Sequence, residues 1–120
     1  MLRPIPRRIL QSEATVEVCI GIDRYHNQLY ETYTVKHVHL QPSNEIRKSL
    51  PDTDLVLEGI LFVDARISTP ALDWVELLKT ANDNGGDMRI TVRGKSYIAK
   101  TAEGLRDDTD RLHHWEVGLV

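Results

Sequence analysis

Apolar and polar residues alternate along much of the chain. From Ala14 onward, Val16, Val18 and Ile20 interleave with Thr15, Glu17 and Cys19, the period-two pattern of a strand with one wet face. The segment from Gly21 to Asn27 supplies turn residues. Alternation resumes between Leu29 and Gln41, through Tyr33 and Val35 and then Val38 and Leu40. These two runs predict a hairpin with a long connection, ended at Pro42. Leu55 to Val63 is the most apolar stretch, and its β-branched and aromatic content predicts a buried central strand. Gly59 within it predicts a bulge or a close backbone approach. Further on, Met88, Ile90 and Val92 alternate with Arg89, Thr91 and Arg93, and a second run covers Ser96 to Lys100. Gly94-Lys95 between them predicts a type II′ turn, with glycine at the first central position where φ is positive. A polar loop over Glu103–Asp110 precedes a last strand, Leu112 to Val120, with His113, Trp115, Val117 and Leu119 on one face.

Three segments break this rhythm. Thr69-Pro70 reads as an N-cap followed by proline at the first helical position. Leu72, Val75 and Leu78 then follow a 3.6 period, predicting a short helix over 70–81 that Asn82 to Gly86 stops. Pro42 to Asp54 has no apolar periodicity; a short helix from Ser43 or Asn44 competes with a projecting loop, and the loop fits the pattern better. Near the start, Pro4 and Pro6 hold Arg3 and Ile5 in extended conformations. Arg3, Arg7 and Arg8 carry local positive charge with no acid among them. That arm is either a solvated tail or a segment that orders on a neighbouring subunit or near phosphate. The expected fold is mainly β: a small antiparallel β-barrel or sandwich of about five to seven strands, with one helix near 70–81. The expected organisation is an extended basic arm over 1–10 and one β-barrel domain over 11–120, with a projecting loop at 42–54.

Composition narrows the function. At 120 residues, 13.7 kDa and 41% hydrophobic residues, the chain suits one compact core. Fifteen basic residues against 18 acidic ones, a net charge of −3, exclude a generic nucleic-acid coat, which needs excess Lys and Arg. The single cysteine, Cys19, excludes an internal disulfide framework and a cysteine-rich zinc module, and fits a reducing cytoplasm. No apolar run reaches the roughly 18 residues needed to cross a bilayer, and no signal-peptide pattern follows the basic start. A soluble intracellular protein with no membrane partner is expected.

Candidate chemistry is sparse. Gly94-Lys95-Ser96 resembles the end of a phosphate-binding loop, but Arg89 stands where that motif needs glycine, and strands flank it. His37 and His39 share a strand face and His113-His114 forms a second pair, yet neither has a third ligand at a telling spacing. Asp107, Asp108 and Asp110 lack the ligand rhythm of a calcium loop. No Gly-x-Ser-x-Gly elbow is present, and Cys19 falls inside an alternating strand. Asp64, just past the apolar strand, is best explained by an ion pair with Arg66. No catalytic, cofactor or metal residue is assigned, and no enzyme is expected.

Four segments carry a family resemblance: Arg3-Pro4-Ile5-Pro6-Arg7-Arg8; Gly59 to Asp64 followed by Ser68-Thr69-Pro70; Val92 to Tyr97; and, most specific, Leu112-His113-His114-Trp115-Glu116-Val117. In this order they resemble the minor capsid proteins of tailed bacteriophages, which are similar in turn to the head-completion, stopper-type proteins of the head-to-tail connector. The resemblance implies a homo-oligomeric ring on a small β-barrel, placed in the virion neck after assembly in the host cytoplasm. It implies phage adaptor or portal and tail-terminator proteins as partners, and transient, non-specific contact with packaged double-stranded DNA. By order along the chain, the channel loop would include Asn44, Glu45, Ile46, Arg47, Lys48 and Ser49. The inter-subunit arm would use Arg3, Ile5, Arg7 and Arg8. An adaptor or tail-terminator ring of the same neck is the nearest alternative. A single-stranded nucleic-acid-binding barrel, using aromatics such as Tyr25, Tyr30, Tyr33, Phe62, Trp74, Tyr97 and Trp115, is the alternative from another class.

Overall fold

The computed structural model describes residues 10–44, 46–49 and 53–120; the arm residues Arg3, Ile5, Arg7 and Arg8, and Glu45, lie outside them. Its elements are β1 (Ser12–Ile22), β2 (Gln28–Pro42), β3 (Ile46–Ser49), β4 (Thr53–Val56), β5 (Gly59–Asp64), α1 (Trp74–Asp83), β6 (Met88–Val92), β7 (Lys95–Arg106) and β8 (Leu112–Leu119). Six strands close into an antiparallel barrel in the order β1-β2-β5-β8-β7-β6, and β3 and β4 form a separate two-stranded sheet. Closure leaves the barrel without an unpaired edge. No helix among the described residues is long and apolar enough to cross a membrane.

Period-two patterning fills the interior. Ala14, Val16 and Val18 from β1, Leu61 and Val63 from β5, Met88, Ile90 and Val92 from β6, and Val117 and Leu119 from β8 form one buried cluster. Trp74 and Ala81 join it from the helix. Two bulges reset the pattern in the first hairpin. Cys19 pairs with Tyr30 and Gly21 with Leu29, so Ile20 is the extra residue. Cys19 therefore turns inward and is buried while Ile20 is exposed, reversing the faces that simple alternation predicts. In β2, Ser12 pairs with Val38 and Glu13 with Lys36; His37 is the odd residue, at φ 62°, and Val35 and Val38 both face the core.

Several boundaries differ from expectation. The apolar run from Leu55 splits: β4 ends at Val56, Leu57 and Glu58 intervene, and β5 starts at Gly59. A Cβ on Gly59 would sit 3.1 Å from the Leu40 side chain, so the predicted close approach is real. The helix starts at Trp74, because the carboxylate of Asp73 caps it by accepting from the Glu76 amide at 3.1 Å. Thr69 instead bridges to Lys36 and precedes a cis Pro70. The turn after β6 has Arg93 and Gly94 as central residues, both at positive φ, with Val92 paired to Lys95. That is the type I′ arrangement rather than II′, one residue earlier than predicted. Strand β7 continues to Arg106, so the expected polar loop shrinks to the residues between Arg106 and Leu112. Polar Glu103 belongs to a strand because its outer face meets water.

Candidate functional site

The segment carrying the candidate channel residues is a hairpin, not an irregular loop. Ile46 lies opposite Val56, Arg47 opposite Leu55, Lys48 opposite Asp54 and Ser49 opposite Thr53. A ladder this short needs none of the long periodicity that betrays a core strand. Asn44 is exposed just before β3, and Ile46, Arg47, Lys48 and Ser49 form it.

The hairpin has a firm root. Pro42 pairs with Gly59, the Ser43 amide donates to the Glu58 carbonyl at 3.0 Å, and the Glu58 amide donates to the Leu119 carbonyl at 2.8 Å. Leu57 is buried at 1% exposure and lies where any side chain on Gly118 would have to stand. Beyond that root, Ile46 and Val56 are 65% and 62% exposed. These two residues form an apolar cross-strand pair on the exposed surface.

In the closed antiparallel cycle β1, β5 and β7 run one way and β2, β6 and β8 the other. The hairpin therefore leaves from one end of the barrel, and three aspartates tie loops at the other. Asp23 accepts from the Tyr25 and Asn27 amides at 2.8 and 2.9 Å, which lowers its pKa, the Asn27 bond contributing most. Asp64, buried, accepts from the Arg66 and Ile67 amides at 2.8 and 3.0 Å. These backbone bonds help to hold the strand end. Asp107 accepts from the Thr109 hydroxyl at 2.6 Å, the Thr109 amide at 2.9 Å and the Arg111 amide at 3.2 Å. The hydroxyl bond, helped by both amides and the nearby Arg66 charge, lowers its pKa to about 2. The aspartates of the 107–110 segment thus serve a turn, at least through Asp107.

At this second end lies a cleft of about 180 Å³, lined by Asp64, Ser68, Pro70, Trp74, Leu112 and Trp115 among others. His113 and His114 share a hydrogen between their Nδ1 atoms at 2.7 Å, and His114 Nε2 meets Glu116 at 3.0 Å. Among the described residues no three His, Cys, Asp or Glu side chains converge as a metal set. The aromatics are dispersed: Trp74 is buried, Tyr25 is exposed, Tyr30 and Tyr97 sit under Arg89 and Lys95, and Tyr33 donates to Glu31. That spread lacks the row of stacking faces a single-strand binder uses.

The described residues thus build a closed β-barrel with a rooted hairpin at one end. Comparison with known families gives the decisive observation: the model of the minor capsid protein family matches residues 6–119. The chain belongs to that family. The match spans both barrel ends and the hairpin, so membership covers the whole described fold. Membership makes this minor capsid protein a phage structural component and places it in the virion. No curated protein matches the chain.

Proposed function

We propose that this minor capsid protein forms a ring in the phage neck, between the portal-bound adaptor and the tail, completing the head and helping to retain packaged DNA. The observation that carries this reading is the β3–β4 hairpin, a sheet separate from the closed barrel with an exposed Ile46–Val56 pair. A ring brings many copies of one hairpin to a common axis, where high effective concentration lets weak contacts close an opening. A two-stranded sheet also offers strand edges that a neighbouring copy's hairpin can pair with. Arg47 and Lys48 beside Asp52 and Asp54 give mixed charge, enough to touch phosphate without gripping DNA that must later pass. The mainly β fold supports a stopper-type ring over a helical adaptor. Electron microscopy of particles assembled without this protein tests the reading. Heads that lose DNA and fail to join tails are expected; filled heads joined normally to tails would contradict it.

A further inference from the structure

Strand β2 is longer than the barrel it helps to close. Strand β5 covers its outer edge only from Val38 to Pro42, and Thr69 covers Lys36 by exchanging both backbone bonds with it, at 2.8 and 3.2 Å. Between Leu29 and Val35, β2 pairs with β1 alone. In an antiparallel ladder, alternate residues turn their N–H and C=O groups to opposite sides. Two sets of bonds fix which residues turn outward here. Lys36 meets Thr69 on the side away from β1, and Cys19, opposite Tyr30, sends its amide to the Asp87 carbonyl at 3.1 Å rather than across to β2. Both give the same parity: Tyr30, Thr32 and Thr34 present their backbone groups to the open side. No described residue takes them.

This edge is open and unguarded. Thr32 and Thr34 are exposed and Tyr30 is half-buried, while α1 lies against β1, β6 and β7. Exposed edges are ordinarily blunted by lysine, proline or a bulge. Leu29 to Val35 holds no lysine, no proline and no register shift, and its Tyr and Thr residues favour a strand. Glu31 is the single charge in the segment. A two-stranded ribbon standing alone is marginal in water, and further strands stabilise it.

We propose that this edge pairs with the same edge of a second copy, antiparallel about a two-fold axis at Thr32. The open stretch selects that register. Centred on Thr32, every outward residue meets an outward residue: Tyr30 meets Thr34 of the second copy, and Thr32 meets Thr32. A centre at Tyr30 would set Thr34 against the turn that precedes β2, and a centre at Thr34 would set Thr32 against Lys36, which Thr69 already occupies. Charge agrees with the choice. Glu31 falls opposite Tyr33 of the second copy, and within one subunit the Tyr33 hydroxyl already donates to Glu31 at 2.7 Å. No carboxylate stands directly across from another, and threonine opposite threonine is a favourable pair. Leu29, 48% exposed, falls opposite Val35. The segment is thus complementary to itself, whereas a foreign strand would have to bring a donor or cation for Glu31. A contact of this kind joins subunits in pairs. It differs from the head-to-tail contact of a ring and does not rest on the neck reading.

Sedimentation of the full chain over a range of concentrations tests the pairing, together with hydrogen exchange at single amides. A monomer–dimer equilibrium is expected. As the dimer forms, the Tyr30, Thr32 and Thr34 amides should slow in exchange, while the Glu31 and Tyr33 amides, which face β1, should be slow at every concentration. Thr32→Pro removes the central outward N–H, which no bond within the subunit uses, and an edge strand tolerates proline at such a position. That variant should sediment as a monomer and unfold near the parent's midpoint; Thr32→Val, which keeps the amide, should still pair. A parent chain that stays monomeric at every concentration would overturn the proposal, as would a dimer that survives Thr32→Pro. If that variant fails to fold, exchange in the parent decides alone: a dimer that leaves the three outward amides fast would overturn the pairing.

Discussion

At the scale of single residues, short polar side chains set the loops and one large apolar side chain plugs an end. Asp107 holds the β7–β8 turn as a carboxylate, with its pKa lowered from 3.8 to about 2. A group depressed in the folded state adds stability that is present above its unfolded value and lost as pH falls through the folded one. Asp107 should therefore stabilise the fold above about pH 4 and stop doing so near pH 2. Asp107→Ala should lower the melting temperature at neutral pH and shrink that difference as the solution is acidified; a gap unchanged by acid would refute the assignment. Trp74 is fully buried, and Trp74→Ala should cost about 3–5 kcal/mol in urea denaturation. Trp74→Phe should cost less, because it keeps much of the ring volume and removes an indole Nε1 that has no hydrogen-bond partner. Gly94, at φ 78°, should resist substitution for a different reason: Gly94→Val places a β-branched residue in the left-handed region, destabilising by about 1–2 kcal/mol.

At the scale of elements, the barrel strands were legible wherever one face is dry. Val16, Val18, Met88, Ile90, Val92, Val117 and Leu119 alternate because the interior demands it. The bulges were harder to read. The phase break between Val35 and Val38 is visible in the sequence, whereas Ile20 looks like a core residue until Gly21 slips the register. The hairpin over 46–56 was hidden because a four-residue strand is too short to show a periodicity, and Leu55 and Val56 merge with the apolar run that follows. Helix α1 was visible by period but starts at Trp74 rather than Pro70, because Asp73, not Thr69, makes the capping bond. The candidate channel residues came from order along a family resemblance, not from any motif of their own. The hairpin's exposed apolar pair gives a clean test. Ile46→Asp with Val56→Asp should leave unfolding free energy within about 0.5 kcal/mol of the parent, as surface changes do. The same variant should abolish stable heads when assembled into particles, measured by DNA retained after purification. Normal retention would remove the hairpin from the account.

At the scale of the whole molecule, the two ends of the barrel are built differently. One end is closed by α1, Trp74 and three aspartate-tied loops; the other roots the hairpin through Pro42, Glu58 and Leu57. A subunit with unlike ends and sides suits head-to-tail contacts, which close into a ring when the rotation allows. In the proposed ring, a net charge of −3 would limit adhesion of the subunits to DNA, because like charges repel. Membership of the minor capsid family places the protein in the virion, and its position there is the central claim. A reconstruction of the intact phage neck tests that most directly. The account predicts copies of this barrel in a single ring on the tail axis, with their β3–β4 hairpins turned toward the DNA channel. Copies spread over the capsid shell, or a ring with the hairpins facing outward, would contradict it.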